Sequence, residues 1–456
     1  MLRRLAAAAT AMTLCAGLAA CSDDGGSTEP PPSSATTDTP TATPNEVTRL
    51  TFGAYGSADE LEAFQRVVDA FNVGSTTRKV ELVTWPDHEA ALEAVLAGDA
   101  PDVFMASRRD LAHLTEAEAT QPVSLLLDER GVDFGDRYSR DAVDAFGVDG
   151  DLQCMAYSVS PMVIYYNDEL IDFDKMERRG LDVPGEDTLG ARTRWNLAEF
   201  AAAAQFATRR GKADGVWIEP TLQGLAPFIY SGGGKIFDDD DEPTSLALSD
   251  EATVDALDRT LAILRDSALT PSPSELEESS ALQRFRQGKL AMIAGFRDLV
   301  PDLRQRAELS FDTIAMPTLE ESATVGDIDG LCISADTEHV NEAADFLAYA
   351  VSDSAIETVT RTGYIVPANT EVAGSEVFLG PGRQPLTSKV FNSAIRGMVV
   401  PPLLDNGPEL LDAVGPQIDD LVTDPGVLDL EQATEEIDES SKAVLSPEEP
   451  SESPSE

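Results

Sequence analysis

Three strand ends carry the side chains best suited to touch a ligand: Tyr55, Trp85 and the Ser107-Arg108-Arg109 loop. An aromatic face covers the apolar side of a ring, and a guanidinium presents a planar fork of donors. Both are tools of binding. The side-chain sets of catalysis are missing, since no Gly-x-Ser-x-Gly elbow, Ser-x-x-Lys pair, His-Glu-x-x-His helix or Walker A loop occurs. Gly211-Lys212, Gly234-Lys235 and Gly288-Lys289 are followed by Ala, Ile and Leu, so none brings the hydroxyl of a phosphate loop. The acidic run Asp238 to Glu242 and the Asp327-Ile328-Asp329-Gly330 turn lack the ligand spacing of a calcium loop. The chain therefore reads as a non-enzyme with no metal and no cofactor. Packing at loop starts accounts equally well for Tyr55 and Trp85 taken alone.

The elements that must hold these residues are legible. Leu50 to Ala54 reads as a strand, Tyr55-Gly56 as a turn, and Ser57 with Glu60 as a capping box that opens a helix. Leu61, Phe64, Val68 and Phe71 then recur at helical spacing. Val80 to Trp85 forms a second strand, His88 to Ala97 a second helix stopped by Gly98 and Pro101, and Asp102 to Met105 a third strand. Such β-α-β-α-β order predicts a parallel sheet, and parallel sheets bind ligands at the carboxyl ends of their strands.

The chain begins with Arg3 and Arg4, an uncharged apolar run from Leu5 to Ala20, and Leu18-Ala19-Ala20-Cys21. The run is too short for a bilayer span and has the layout of a secretory signal, residues 1–21. Its end resembles the lipobox of bacterial lipoproteins, which implies lipidation of Cys21 and a membrane-anchored, extracytoplasmic protein; an ordinary secreted protein is the alternative. Residues 22–46 are Ser, Thr, Pro, Asp and Gly, the composition of an unfolded tether. An acidic Ser-Pro-Glu stretch, 435–456, reads as a second disordered segment.

The body between them is long enough for two lobes. A net charge of −49 argues against nucleic acid as a partner and is accounted for by solubility outside the cell. Histidine is rare, at His88, His113 and His339. Once Cys15 and Cys21 are set aside, Cys154 and Cys332 remain, either paired or buried as thiols.

Ala94-Val95-Leu96-Ala97-Gly98-Asp99-Ala100-Pro101-Asp102-Val103-Phe104 resembles the "LAAGDAPDVF" signature of the family 1 extracellular solute-binding proteins, receptors of sugar-type ABC importers. Further similar blocks follow in order: Gly150 to Tyr157 with Ile164 to Leu170, Trp195 to Phe200, Tyr230 to Gly234, Phe285 to Met292 with Gly295, Glu342 to Leu347, and Gly363 to Pro367. The resemblance covers about residues 50–436. Each block also has a structural reason, such as the left-handed turn that Gly232 to Gly234 would permit.

The family implies an α/β, two-lobed periplasmic-binding-protein-like fold, with a hinge of crossing strands and a ligand cleft between the lobes. Lobe I would comprise 47–158 and 329–376, and lobe II 159–328 and 377–434. Crossings near Tyr157 to Pro161 and Gly326 to Leu331 would bring Cys154 and Cys332 close together. Positions aligned with the family's cleft are Tyr55, Trp85, Arg108, Tyr157, Trp217, Glu219, Phe296, Arg297, Asp329 and Tyr364. The chain departs from the pattern at Gly295-Phe296-Arg297-Asp298, where relatives often place a tryptophan, and in the helix from Asn406 to Val422, which has no aromatic residue. With aromatics at 6%, a small or partly charged solute is favoured over a long oligosaccharide. A sugar is expected first; an anion clamped by Arg108 and Arg297 is second, unless these arginines are merely solvated. The implied partners are a small-molecule solute, ABC permease subunits and, through Cys21, the membrane, with the chain itself a monomer. A ligand-sensing or ligand-presenting lipoprotein of the same fold is the alternative role, with a secreted hydrolase ranked below it.

Overall fold

The computed structural model of this protein describes residues 47–209 and 211–447. The expected signal, the tether, the Cys21 anchor and the last nine residues lie outside that range.

The first lobe opens with strand β1 (Thr48–Tyr55), helix α1 (Ala58–Gly74), β2 (Arg78–Trp85), α2 (His88–Leu96) and β3 (Val103–Ser107). The Ser57 side chain accepts from the Glu60 amide while the Glu60 carboxylate accepts from Ser57 N–H, which satisfies two orphan donors at the start of α1. Leu50, Phe52 and Ala54 face Ala63, Phe64, Val67 and Val68 of α1. Full burial of one such Phe or Leu is worth about 1.5–3 kcal/mol, and this repeated contact fixes the helix against the sheet.

The chain continues through β4 (Thr120–Gln121), β5 (Cys154–Pro161), β6 (Val163–Asn167), β7 (Met292–Gly295), β8 (Phe311–Ile314), β9 (Thr324–Ser334) and β10 (Met398–Val399). The large sheet has the order β10-β9-β3-β1-β2, with β4 and β5 also paired to β9. β1 is parallel to β2 and β3, as the β-α-β-α-β pattern predicts. β9 returns antiparallel to both β3 and β5.

A second, antiparallel sheet, β8-β6-β7, forms the heart of the other lobe. Both its faces are buried. Ile164 and Tyr166 of β6 belong to one apolar cluster with Met292, Trp195 and Phe200. Val163 and Tyr165 belong to the other, with Ile293, Phe311, Phe378 and Phe391, and that cluster runs on into the first lobe. This alternation is the period-2 signature of a strand covered on both sides.

Gly232 to Gly234 follow α3 (Leu222–Ser231) and pack on α4 (Glu251–Leu264). Only Gly233 is left-handed, at φ 80°. A Cβ on Gly232 or Gly234 would come within 2.7 Å of Ala256 or Thr253, so close helix approach is the reason for those two.

One expectation is overturned. Residues 435–445 are helical, within a terminal helix (Leu430–Leu445) whose Ile437 is fully buried. Its Ser441 hydroxyl accepts from Leu246 N–H, and Asp438 accepts from Leu248 and Ser249 N–H. The acidic composition hid an amphipathic stripe.

Candidate ligand-binding cleft

The two crossing strands, β5 and β9, lie side by side. Cys154 and Cys332 are register partners there and are joined by a disulfide. Farther along, Ser158 faces Asp329 and Ser160 faces Asp327. This makes a ribbon of hydroxyls and carboxylates along one face of otherwise apolar strands.

Side chains from the first lobe close on this ribbon. Tyr55, at the carboxyl end of β1, donates its hydroxyl to Asp329 Oδ1 at 2.6 Å, and Ser158 donates to Oδ2 at 2.8 Å. No cation pairs with Asp329 among the described residues, and burial lifts its carboxyl above the ordinary range. The Tyr55 phenol is also pushed up, by burial first and then by the Asp329 charge. Arg109 pairs with Asp327. The His88 ring meets Tyr55 edge-on at 6.3 Å, and its Nδ1 lies 2.9 Å from Asp110, which raises the imidazole. Glu60, in the capping box, is raised mainly by burial.

The second lobe meets the ribbon at Phe296-Arg297-Asp298, just before the helix Leu299–Arg304. Arg297 N–H donates to Ser160 Oγ at 3.2 Å, and Asp298 is raised by desolvation and by the nearby Asp327. The arrangement is a polar surface of carboxylates and hydroxyls whose acidic groups disfavour an anion.

Of the aligned cleft positions, Tyr55 and Asp329 come together. Arg108 is half-buried nearby, its guanidinium 3.4 Å from the Pro401 carbonyl and pushed down by burial to about 10. Glu219 is exposed in the loop before α3, while Phe296 and Tyr364 are half-buried.

Four of the expected positions are engaged within the protein itself. Tyr157 is 1% exposed and packs on Phe64 at 5.7 Å inside the first lobe. Arg297 is 1% exposed and donates to the carbonyls of Gly363 and Phe378 and to Ser388 Oγ, with its guanidinium over Phe378 and Phe391. It is therefore a structural arginine with no free fork for an anion. Trp85 folds back along the sheet, its ring tip lying over Gly53, where even a Cβ would come within 2.3 Å. Trp217 is 8% exposed, bridged to Ile293, with an indole N–H that finds no acceptor among the described residues.

Ser158, Ser160, Asp327 and the His88–Asp110 pair were not among the expected site residues. The signal for the ribbon was present, as polar residues at every second position in two apolar strands.

Residues 66–378 match the family model of the bacterial extracellular solute-binding proteins. This chain belongs to that family. No curated protein matches the sequence. Solved structures resemble the binding protein over nearly their whole length. An ABC substrate-binding protein from Listeria monocytogenes, in complex with cycloalternan, is 21% identical at a TM-score of 0.72 and covers 88% of this chain and 99% of its own. The GacH receptor of Streptomyces glaucescens, solved unliganded and with acarbose, is 18% identical at 0.69, covering 88% and 98%. The sugar-binding protein MalE of Xanthomonas citri is 16% identical at 0.73, covering 87% and 97%. At these identities the likeness establishes the fold, that of a two-lobed α/β binding protein. No helix among the described residues is long and apolar enough to cross a membrane.

Proposed function

We propose that this protein captures a small polar solute, a sugar or short oligosaccharide, in the cleft above the Ser158–Asp329 ribbon and delivers it to the permease subunits of an ABC importer. A lipid on Cys21 would hold it at the extracytoplasmic face of the membrane, and it would act as a monomer. The carrying observation is Asp329, a carboxylate whose side-chain partners among the described residues are the neutral hydroxyls of Tyr55 and Ser158. Such a group retains lone pairs for ligand hydroxyls and strengthens each hydrogen bond by its charge. The cycloalternan and acarbose complexes among the related structures support the same class. The acidic floor and the fully engaged Arg297 weigh against an anionic solute.

The test is a thermal-shift screen of the protein against neutral sugars, sugar acids, polyols and amino acids, followed by calorimetric titration. A ligand at 100 times its Kd should stabilise the native state by about 2.7 kcal/mol. Shifts confined to neutral sugars support this function. Shifts confined to sugar acids, or none at all, overturn the sugar assignment.

A further inference from the structure

We propose that Arg304 and Arg383, which flank Gly380, form a binding site for a phosphate group, either a free anion or the headgroup of a lipid.

Three arginines converge on two stretches of backbone, Gly363 and residues 378–384. Arg297 spends its donors on the protein, at the carbonyls of Gly363 and Phe378 and at Ser388 Oγ. Arg304 closes the helix Leu299–Arg304 and donates only through Nε, to the Gln384 carbonyl. Its Nη1 and Nη2 meet no acceptor among the described residues, and neither does the exposed Arg383 side chain. The helix has one carboxylate, Asp302, and Arg286 takes it. In a chain with 82 acidic and 33 basic side chains, this places neighbouring arginines without a counter-ion among the described residues.

The glycines explain why the fork is open. Gly363 and Gly380 are left-handed, at φ 91° and 55°. A Cβ on Gly363 would press on Arg304 Nη1 at 3.1 Å, and one on Gly380 would touch both Arg304 Nη2 and Arg383 Cβ at 3.8 Å. The guanidinium of Arg304 thus lies across two positions that carry no side chain, with Arg383 rising from the far side of one of them. A carboxylate would be satisfied by a single fork, whereas two arginines match the three oxygens and the higher charge of a phosphate.

The charge arrangement agrees with this geometry. Burial and the neighbouring Arg383 push the Arg304 guanidinium down to about 10. Arg297 beneath is also pushed down to about 10, by burial first and then by Arg304 and Arg383. A bound anion relieves this repulsion. The net charge of −49 does not forbid it, because physiological salt screens exposed charges beyond about 8 Å and leaves the local sign in control.

The experiment titrates the protein with inorganic phosphate at fixed ionic strength by calorimetry. In parallel, it sediments the protein with phosphatidylcholine vesicles prepared with and without phosphatidylglycerol. Wild type is compared with Arg304→Gln and Arg383→Gln. Saturable phosphate binding, weakened about tenfold or more in each variant, is the expected result and supports the site with a free anion as occupant, whether or not vesicles bind. Binding only to vesicles that contain phosphatidylglycerol, lost in the same variants, supports the site with a lipid headgroup. No binding in either arm, or binding that both variants retain, overturns the proposal and leaves two solvated arginines. Arg304 also holds the Gln384 carbonyl, so should Arg304→Gln fail to fold, Arg383→Gln decides alone.

Discussion

Two charged groups near the crossing strands, Asp329 and Arg297, are handled in opposite ways. Arg297 is surrounded by its own protein: two backbone carbonyls, a serine hydroxyl and two phenyl faces engage the guanidinium. Asp329 has two neutral hydroxyl donors and no counter-ion among the described residues. A charge saturated by backbone acceptors is architecture, since removing it strands those acceptors. A charge held by hydroxyls alone keeps capacity for a ligand. Both residues aligned with cleft positions, and only their partners separate them.

The largest effect that could break this contrast is expected at Arg297. Arg297→Ala should cost about 1–3 kcal/mol for each buried acceptor it leaves unpaired, and Arg297→Lys should not restore it, because a point charge cannot reproduce the fork. Urea unfolding measures this; a variant as stable as wild type but unable to bind would return Arg297 to the ligand. Next is Asp329→Asn, for which a loss of about 1.5–3 kcal/mol in binding is expected, read by calorimetry. Stability should move the other way. The folded-state value of Asp329 is raised, so its contribution to stability is present below the unfolded value and lost as pH rises through the folded one. At neutral pH the amide variant should thus be at least as stable as wild type. By the same shift, wild-type affinity should begin to fall on acidification at a higher pH than an ordinary aspartate would dictate.

Gly53→Ala sharpens the comparison from the other side. The added methyl collides with the Trp85 ring, and displacing it should cost about 1–3 kcal/mol of stability, with affinity reduced less than twofold if Trp85 only packs. A collapse of affinity at full stability would mean that the ring belongs to the ligand. The smallest effect is expected at His88. Its value is raised by Asp110, so the pair stabilises the fold fully below the unfolded imidazole value and loses that contribution as pH rises through the folded one. His88→Ala should cost about 1 kcal/mol at pH 6 and less at pH 8.5, by melts at the two pH values.

Much of the fold was legible because its signals are local. A capping box, a helical stripe and Gly/Pro stops placed β1 to β3 to within two residues, and the parallel pairing followed from their order. The site was legible in part. Tyr55 lies at the carboxyl end of its strand, as the spacing predicts, and its hydroxyl reaches Asp329. The surroundings of Tyr157, Trp85 and Arg297 were not legible, because they depend on distant partners: a bulge, a glycine in the neighbouring strand, and carbonyls some 66 and 81 residues along the chain. The terminal helix was missed for a different reason. Acidic composition outweighed the helical spacing of Thr434, Ile437 and Ser441, all of which are buried.

That helix also limits how the chain can be trimmed. It covers three amide donors, those of Leu246, Leu248 and Ser249, that lie almost two hundred residues upstream. A protein cut after Thr434 would therefore present as a second-lobe folding defect, far from the scissors, with its cleft residues untouched. Fusions and truncations aimed at the acidic end have free choice only beyond Leu445.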